Sequence, residues 1–110
     1  MKLTLPYPPS ANRYWRNFRG RMVKSEKARA YQAKVRATNL CRPMDGELIV
    51  CADVYRPAKR GDVDNLIKVV LDSIQGIAYH DDKQVKRVDF ERHDTDRKNP
   101  RVEVVIEQAS

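Results

Sequence analysis

The sequence has 110 residues, one domain's worth, with 22 Lys and Arg against 15 Asp and Glu and a formal net charge of +7. Charged residues make up 34% and apolar ones 41%, enough for one modest core, and no apolar run approaches the ~20 residues of a spanning helix, which excludes a helical membrane protein. The start, Met1-Lys2-Leu3-Thr4-Leu5-Pro6, lacks the apolar stretch of an export signal, and the two cysteines, Cys41 and Cys51, cannot build a disulfide framework or a zinc site unaided. A single cytoplasmic domain over residues 1–110, with two reduced thiols, is therefore expected.

Leu3 and Leu5 alternate with polar residues until Pro6, Pro8 and Pro9 end the run, which predicts a short first strand. Residues 6–24, punctuated by Pro, Asn and Gly, are expected to form a long loop. Ser25 is a fitting N-cap, Glu26 suits the dipole of a first turn, and Ala28, Tyr31 and Val35 follow at helical spacing. A first helix is thus predicted over 26–40, with Pro43 and Gly46 as its stop. Residues 47–55 are β-branched and mostly apolar, the pattern of a central strand. A basic loop from Arg56 to Gly61 leads into a second helix from Asp64 to Gln75, with Leu66, Val69, Val70, Ile74 and Ile77 on one face and Gly76 as its end. Residues 84–92 and 101–107 alternate, and the polar loop His93 to Pro100 is expected to join them as an antiparallel hairpin. The order β-α-β-α-β-β is that of an α+β domain, a small mixed sheet with two helices on one face. Two helices and four short strands bury little surface, so a homodimer is expected.

The charge is divided along the chain. Residues 1–42 hold eleven basic side chains against one acid, Glu26, a balance of +10, whereas residues 43–110 hold eleven against fourteen, a balance of −3. A +10 segment suits a polyanion, and counterion release would make such binding strongly salt-dependent. Nine of the fourteen acids lie between Asp62 and Asp96. A protein that only grips phosphate has no use for these carboxylates beside its grip. One that holds Mg²⁺ against phosphate needs both, because a hard divalent cation takes oxygen ligands and cancels their repulsion.

Three local features carry chemistry. In Gly61-Asp62-Val63-Asp64-Asn65-Leu66-Ile67-Lys68, two aspartates one residue apart stand where a basic loop becomes a helix, and Lys68 follows Asp64 by one turn. The bland reading is a helix cap plus an Asp64–Lys68 surface ion pair. In His80-Asp81-Asp82 the bland reading is a polar turn, and His80 is left out of the metal-binding set because a single His beside acids is more often an exposed turn residue. In Arg13-Tyr14-Trp15-Arg16-Asn17-Phe18-Arg19-Gly20-Arg21, arginines alternate with aromatics, a pairing that suits phosphates and unpaired bases, although Trp15 is also a natural core anchor.

Together these pieces resemble the RusA family of Holliday junction resolvases, a group often carried by prophages. The resemblance starts at Leu5-Pro6-Tyr7-Pro8-Pro9-Ser10-Ala11-Asn12-Arg13-Tyr14, like that family's LPxPPSxNxxY. It continues through Asp62-Val63-Asp64-Asn65-Leu66-Ile67-Lys68, like DxDNLxK, and Asp81-Asp82-Lys83-Gln84-Val85, like DDxQV. It implies a homodimeric endonuclease, dependent on Mg²⁺ (Mn²⁺ being a substitute), that cuts four-way DNA junctions in recombination and repair. By matching position it implies Asp62, Asp64 and Asp82 as metal-binding acids and Lys68 as the cation beside the scissile phosphate. Arg13, Tyr14, Arg16, Arg19, Arg21, Lys59, Arg60 and Lys68 are the expected DNA contacts. Family members often place basic residues directly before the first Asp, whereas here Gly61 follows Lys59 and Arg60.

Phosphodiester hydrolysis needs an attacking water and charge neutralisation on the phosphoryl oxygens, which a carboxylate-held Mg²⁺ supplies. No Ser, Cys or His constellation offers a covalent route. A non-catalytic nucleic-acid-binding module and a metal-dependent ribonuclease are the alternatives. The helix from Asp64 is ~18 Å long at 1.5 Å per residue, and Asp82 lies only six residues past its end. An extended return at ~3.3 Å per residue would barely reach Asp64, so a two-fold dimer, in which Asp82 of one chain faces Asp62 and Asp64 of the other, is the easier arrangement.

Overall fold

The strand Leu48–Tyr55 buries Leu48, Val50, Ala52 and Val54 and turns Ile49, Cys51, Asp53 and Tyr55 the other way. This period-two alternation places it at the centre of a four-stranded sheet. The computed structural model describes residues 1–59 and 63–109. Its elements are β1 (Lys2–Pro6), α1 (Ala11–Tyr14), β2 (Trp15–Phe18), β3 (Arg21–Lys24), α2 (Glu26–Thr38), β4 (Leu48–Tyr55), α3 (Val63–Ile74), β5 (Val85–Arg92) and β6 (Arg101–Gln108), with a 3₁₀ turn at Asp82–Gln84. The sheet runs β1-β6-β4-β5 and is mixed: β5 is parallel to β4, whereas β6 is antiparallel to both β4 and β1.

One face of this sheet is closed by Leu3, Leu5, Val50, Val54, Val102 and Ile106, packed in one core with Tyr31 and Val35 of α2 and Leu66, Val69, Val70 and Ile74 of α3. The α+β expectation holds, with a third short helix added. Ser25 caps α2 by accepting the Ala28 N–H at 3.2 Å, and Asn39 ends the helix at Thr38, two residues earlier than expected. The Asn39 side chain exchanges two hydrogen bonds with the backbone of Thr4, which ties α2 to the edge strand β1. Gly76, at φ +83°, breaks α3 in the left-handed region. Among the described residues no helix is long and apolar enough to cross a membrane.

Two expectations are corrected. Strands β5 and β6 do not pair as a hairpin, because β4 lies between them. As the most apolar strand, β4 gains most from two neighbours, and the helical crossover through α3 returns the chain parallel to it. The 93–100 loop then crosses the end of β4, held by the His93 N–H on the Val54 carbonyl at 3.0 Å and the Asp96 N–H on the Arg56 carbonyl at 2.8 Å. Residues 6–24 are not a featureless loop either: they contain α1 and the β2–β3 hairpin. Arg19 (φ 51°) and Gly20 (φ 78°) form its two-residue turn, in which both residues sit at positive φ and match the twist of the strands.

Candidate functional site

Of the acids expected to hold metal, Asp62 lies outside the described residues, as does Arg60. Asp64 belongs to the first turn of α3, and Lys68, exposed, stands one turn later. Asp82 lies beyond the other end of that helix, where its N–H donates to Oε1 of Gln75 at 3.2 Å. The 76–79 turn folds back on the helix end, with the Ala78 N–H on the Ile74 carbonyl at 2.8 Å and the Gly76 N–H on the Tyr79 carbonyl at 2.7 Å. Twelve residues of α3, roughly 18 Å, therefore separate the region of Asp64 from that of Asp82 within one chain.

The His80–Gln84 segment divides its labour by residue. Asp81 is the N-cap, accepting the Lys83 N–H at 2.9 Å, and that bond, followed by the neighbouring Asp82 carboxyl, holds the Asp81 carboxyl below its usual range. Gln84 is the staple: its Oε1 accepts the N–H groups of His80 and Asp81, and its amide donates to the carbonyls of Met44 and Gly46. His80 pairs with Asp45 at 3.0 Å on the surface. Because Asp81 does the capping, the Asp82 carboxylate is not required by the turn, and it stands exposed.

Asp72, one turn past Lys68, carries no signal of its own in the sequence. Its Oδ2 accepts the Tyr14 hydroxyl at 2.5 Å and lies 3.0 Å from Nζ of Lys24, while its carbonyl accepts Nε2 of Gln32 at 3.3 Å. One residue of α3 thus joins α1, α2 and β3. The i+4 spacing from Lys68 is visible in the sequence, but the partners 58 and 40 residues away are not. Tyr14, expected as a DNA contact, is corrected here: its side chain is fully buried and its ring packs edge-on against Trp15, so no face is open to a base. Burial, then the bond to Asp72, pushes its hydroxyl far above the ordinary range, so it donates at any working pH.

The other expected contacts of the basic segment, Arg13, Arg16, Arg19 and Arg21, are exposed, and so is Lys59. Arg13 and Arg16 line a groove of about 410 Å³ together with Ser25, Glu26, Lys27 and Arg29. Four cations against one acid give it a positive potential that favours anions. Lys27 and Arg29 belong to the +10 segment, yet only the docking of α1 against the start of α2 reveals that they share a groove with the arginines.

At the far end of β4, Asp53, Glu91 and His93 gather ligand-type atoms within 4.8 Å of one another on the open sheet face. His93 Nε2 lies 2.8 Å from Asp53, and its ring stacks on Tyr55 at 4.7 Å. The hydrogen bond to Asp53, assisted by the charges of Asp53, Glu91 and Glu103, raises the His93 pKa. An imidazole already hydrogen-bonded to one of the acids makes this group a mixed nitrogen and oxygen cluster rather than an all-oxygen cage for Mg²⁺.

A profile of the endodeoxyribonuclease RusA family matches residues 6–107. A crossover junction endodeoxyribonuclease of Escherichia coli strain K12 is 35% identical over 89 residues, covering 76% of this chain and 74% of the relative. Its namesake from Enterobacteria phage 82 is 33% identical over 94 residues with the same coverage, and that from Enterobacteria phage HK97 is 31% identical over 91 residues, covering 76% and 73%. The match spans α1, the hairpin, α3 and the Asp81–Gln84 turn together, and it shows that this chain belongs to the endodeoxyribonuclease RusA family.

Proposed function

We propose that the chain resolves four-way DNA junctions by Mg²⁺-dependent hydrolysis of the phosphodiester backbone, in recombination and repair, and that it acts as a homodimer. The observation that carries this reading is the family match over residues 6–107, which includes both the Asp62–Lys68 and the Asp81–Gln84 segments. Asp62, Asp64 and Asp82 would hold the metal. Their carboxylate oxygens suit a hard cation, and Asp82 is exposed in a turn whose cap is another residue. When bound, Mg²⁺ supplies a Lewis acid for the phosphoryl oxygens and lowers the pKa of an attacking water. Lys68 adds positive charge where the transition state accumulates negative charge. Arg13, Arg16, Lys27 and Arg29 hold the backbone in their groove, and Arg19, Arg21 and Lys59 extend the positive surface.

The separation of Asp64 from Asp82 along α3 supports a metal site shared across the dimer, since ligands of one ion must meet within a few ångström. The decisive experiment is cleavage of a synthetic four-way junction with and without Mg²⁺, set beside duplex DNA and RNA controls. Paired cuts in the junction alone, lost on chelation, are expected. Binding without cutting, or preferential cutting of RNA, would overturn the proposal.

A further inference from the structure

We infer that Phe18, at the tip of the β2–β3 hairpin, stacks on an exposed base face at the branch point and thereby carries the preference for a junction over a plain duplex. This rests on the function proposed above.

Strand alternation divides the hairpin into two faces. Trp15, Asn17, Met22 and Lys24 share one of them, and Lys24 joins it to Asp72 on α3 while Trp15 packs on Tyr14. Arg16, Phe18, Arg21 and Val23 share the other, with Arg21 directly across from Phe18. Arg16 lines the basic groove, so Phe18 continues that face towards the tip. The ring is 46% exposed, the most exposed aromatic among the described residues. The guanidinium carbons of Arg16 and Arg19 lie 5.4 and 5.3 Å from its centroid.

An apolar ring held out in solvent gains only from a partner that covers it. The surrounding arginines, within a segment of +10, repel a second copy of the same face and select a polyanion. When Arg16 and Arg19 turn to phosphates they uncover the ring, and the aromatic face is then available to a base. Within an intact duplex the base faces are occupied by their neighbours. At a four-way branch the pairs lose a stacking neighbour, so the ring gains there and not on a plain duplex. The two-residue turn at Arg19-Gly20 defines the backbone of the tip, which limits the entropy lost on binding.

The test uses the full chain as wild type, Phe18→Ala and Phe18→Trp, with a junction carrying 2-aminopurine at the branch and a duplex of the same sequence, both without Mg²⁺. Wild type should change the 2-aminopurine emission on the junction and not on the duplex, and should prefer the junction. Phe18→Ala should lose that signal and roughly ten- to a hundredfold of junction affinity. Its duplex affinity and salt slope should be unchanged, and Phe18→Trp should restore the junction affinity and preference. The inference is overturned if Phe18→Ala keeps signal and preference, or if it loses junction and duplex affinity alike, which would make the ring a support for the hairpin. A wild type that neither prefers nor, with Mg²⁺, cuts the junction would sink the proposed function and this inference with it. A cutting wild type with an unaffected Phe18→Ala sinks this inference alone.

Discussion

The Tyr14 hydroxyl meets Oδ2 of Asp72 at 2.5 Å, across 58 residues of sequence, and Lys24 reaches the same oxygen at 3.0 Å. A buried tyrosine from the first motif is thereby fixed to the helix that carries Asp64 and Lys68. The network is unequal in its parts. Tyr14 is buried, so an acceptor removed from it leaves an unsatisfied hydroxyl, whereas the Lys24 side chain is 39% exposed and screened by water. Asp72→Ala should therefore cost about 2–3 kcal/mol, Tyr14→Phe about 1–2, and Lys24→Met under about 1, by urea denaturation. Equal losses for Lys24→Met and Asp72→Ala would refute this ranking.

The acids proposed to hold the metal should matter for cutting and not for binding. Asp62→Asn, Asp64→Asn or Asp82→Asn each removes a charge that repels phosphate, so junction affinity should stay similar or rise. Cleavage should fall by orders of magnitude, because an amide is a poor ligand for Mg²⁺. Near wild-type cutting by all three variants would remove the basis for the metal site. Asp81→Asn, by contrast, weakens a cap and should show its effect in stability first.

Salt dependence separates the groove from the chemistry. Replacing Arg13, Arg16 and Arg19 together with Ala should weaken DNA binding and flatten the salt slope by roughly one unit for each phosphate no longer neutralised. Lys27→Ala with Arg29→Ala should act in the same direction, since both side chains line the groove with Arg13 and Arg16. Slopes measured by fluorescence anisotropy that do not change in either variant would mean that the groove holds no DNA.

His93 makes stability depend on pH in a defined direction. Its pKa in the fold is raised above the ordinary 6.5, first by the hydrogen bond to Asp53 and then by the charges of Asp53, Glu91 and Glu103. The contribution is complete below about pH 6.5 and is lost as pH rises through the raised folded value. The thermal midpoint of wild type should exceed that of His93→Gln most clearly below the ordinary 6.5, and the gap should shrink as pH rises into the alkaline range. A difference that grows with pH would contradict the assignment, and loss of junction cleavage in His93→Gln would move this cluster into the active site.

What the sequence revealed depended on the range of the interaction. The stripe Leu66, Val69, Val70 and Ile74 and the Ser25 cap are set by residues three or four apart, and both helices fall within two residues of their expected ends. The β2–β3 hairpin escaped because its turn is Arg-Gly rather than the Asn-Gly or Asp-Gly that usually signals two positive φ values. Strand order escaped because alternation says which face of β5 and β6 is buried but not which strand lies beside them. The arginines of the motif are exposed, whereas Tyr14 inside the same motif is core. Alternation of residue types could not separate the two, because the partner that buries Tyr14 lies on α3.

Whether the acids meet within one chain or across two is open to a direct test. Asp64 lies in the first turn of α3, Asp82 lies past its far end beside Gln75, and the helix is roughly 18 Å long. The turn that carries Asp82 is fixed at both sides, by Gln75 on the helix and by Gln84 on the carbonyls of Met44 and Gly46. Bringing Asp82 to Asp64 in the same chain would break these bonds, whereas a dimer that set the two ends against each other across a two-fold axis would not need to. A four-way junction has approximate two-fold symmetry, so two such composite sites would also suit paired cuts. Mixing Asp62→Asn chains with Asp82→Asn chains distinguishes the arrangements. With a shared site, the mixed dimer carries both lesions in one site and none in the other, so single-strand nicking should return at up to half the wild-type number of cuts. With sites confined to single chains, both remain damaged. A mixture as inactive as its parents, with heterodimers demonstrated by differential tagging, would place all three acids of each site in one chain and require the Asp82 turn to rearrange on DNA.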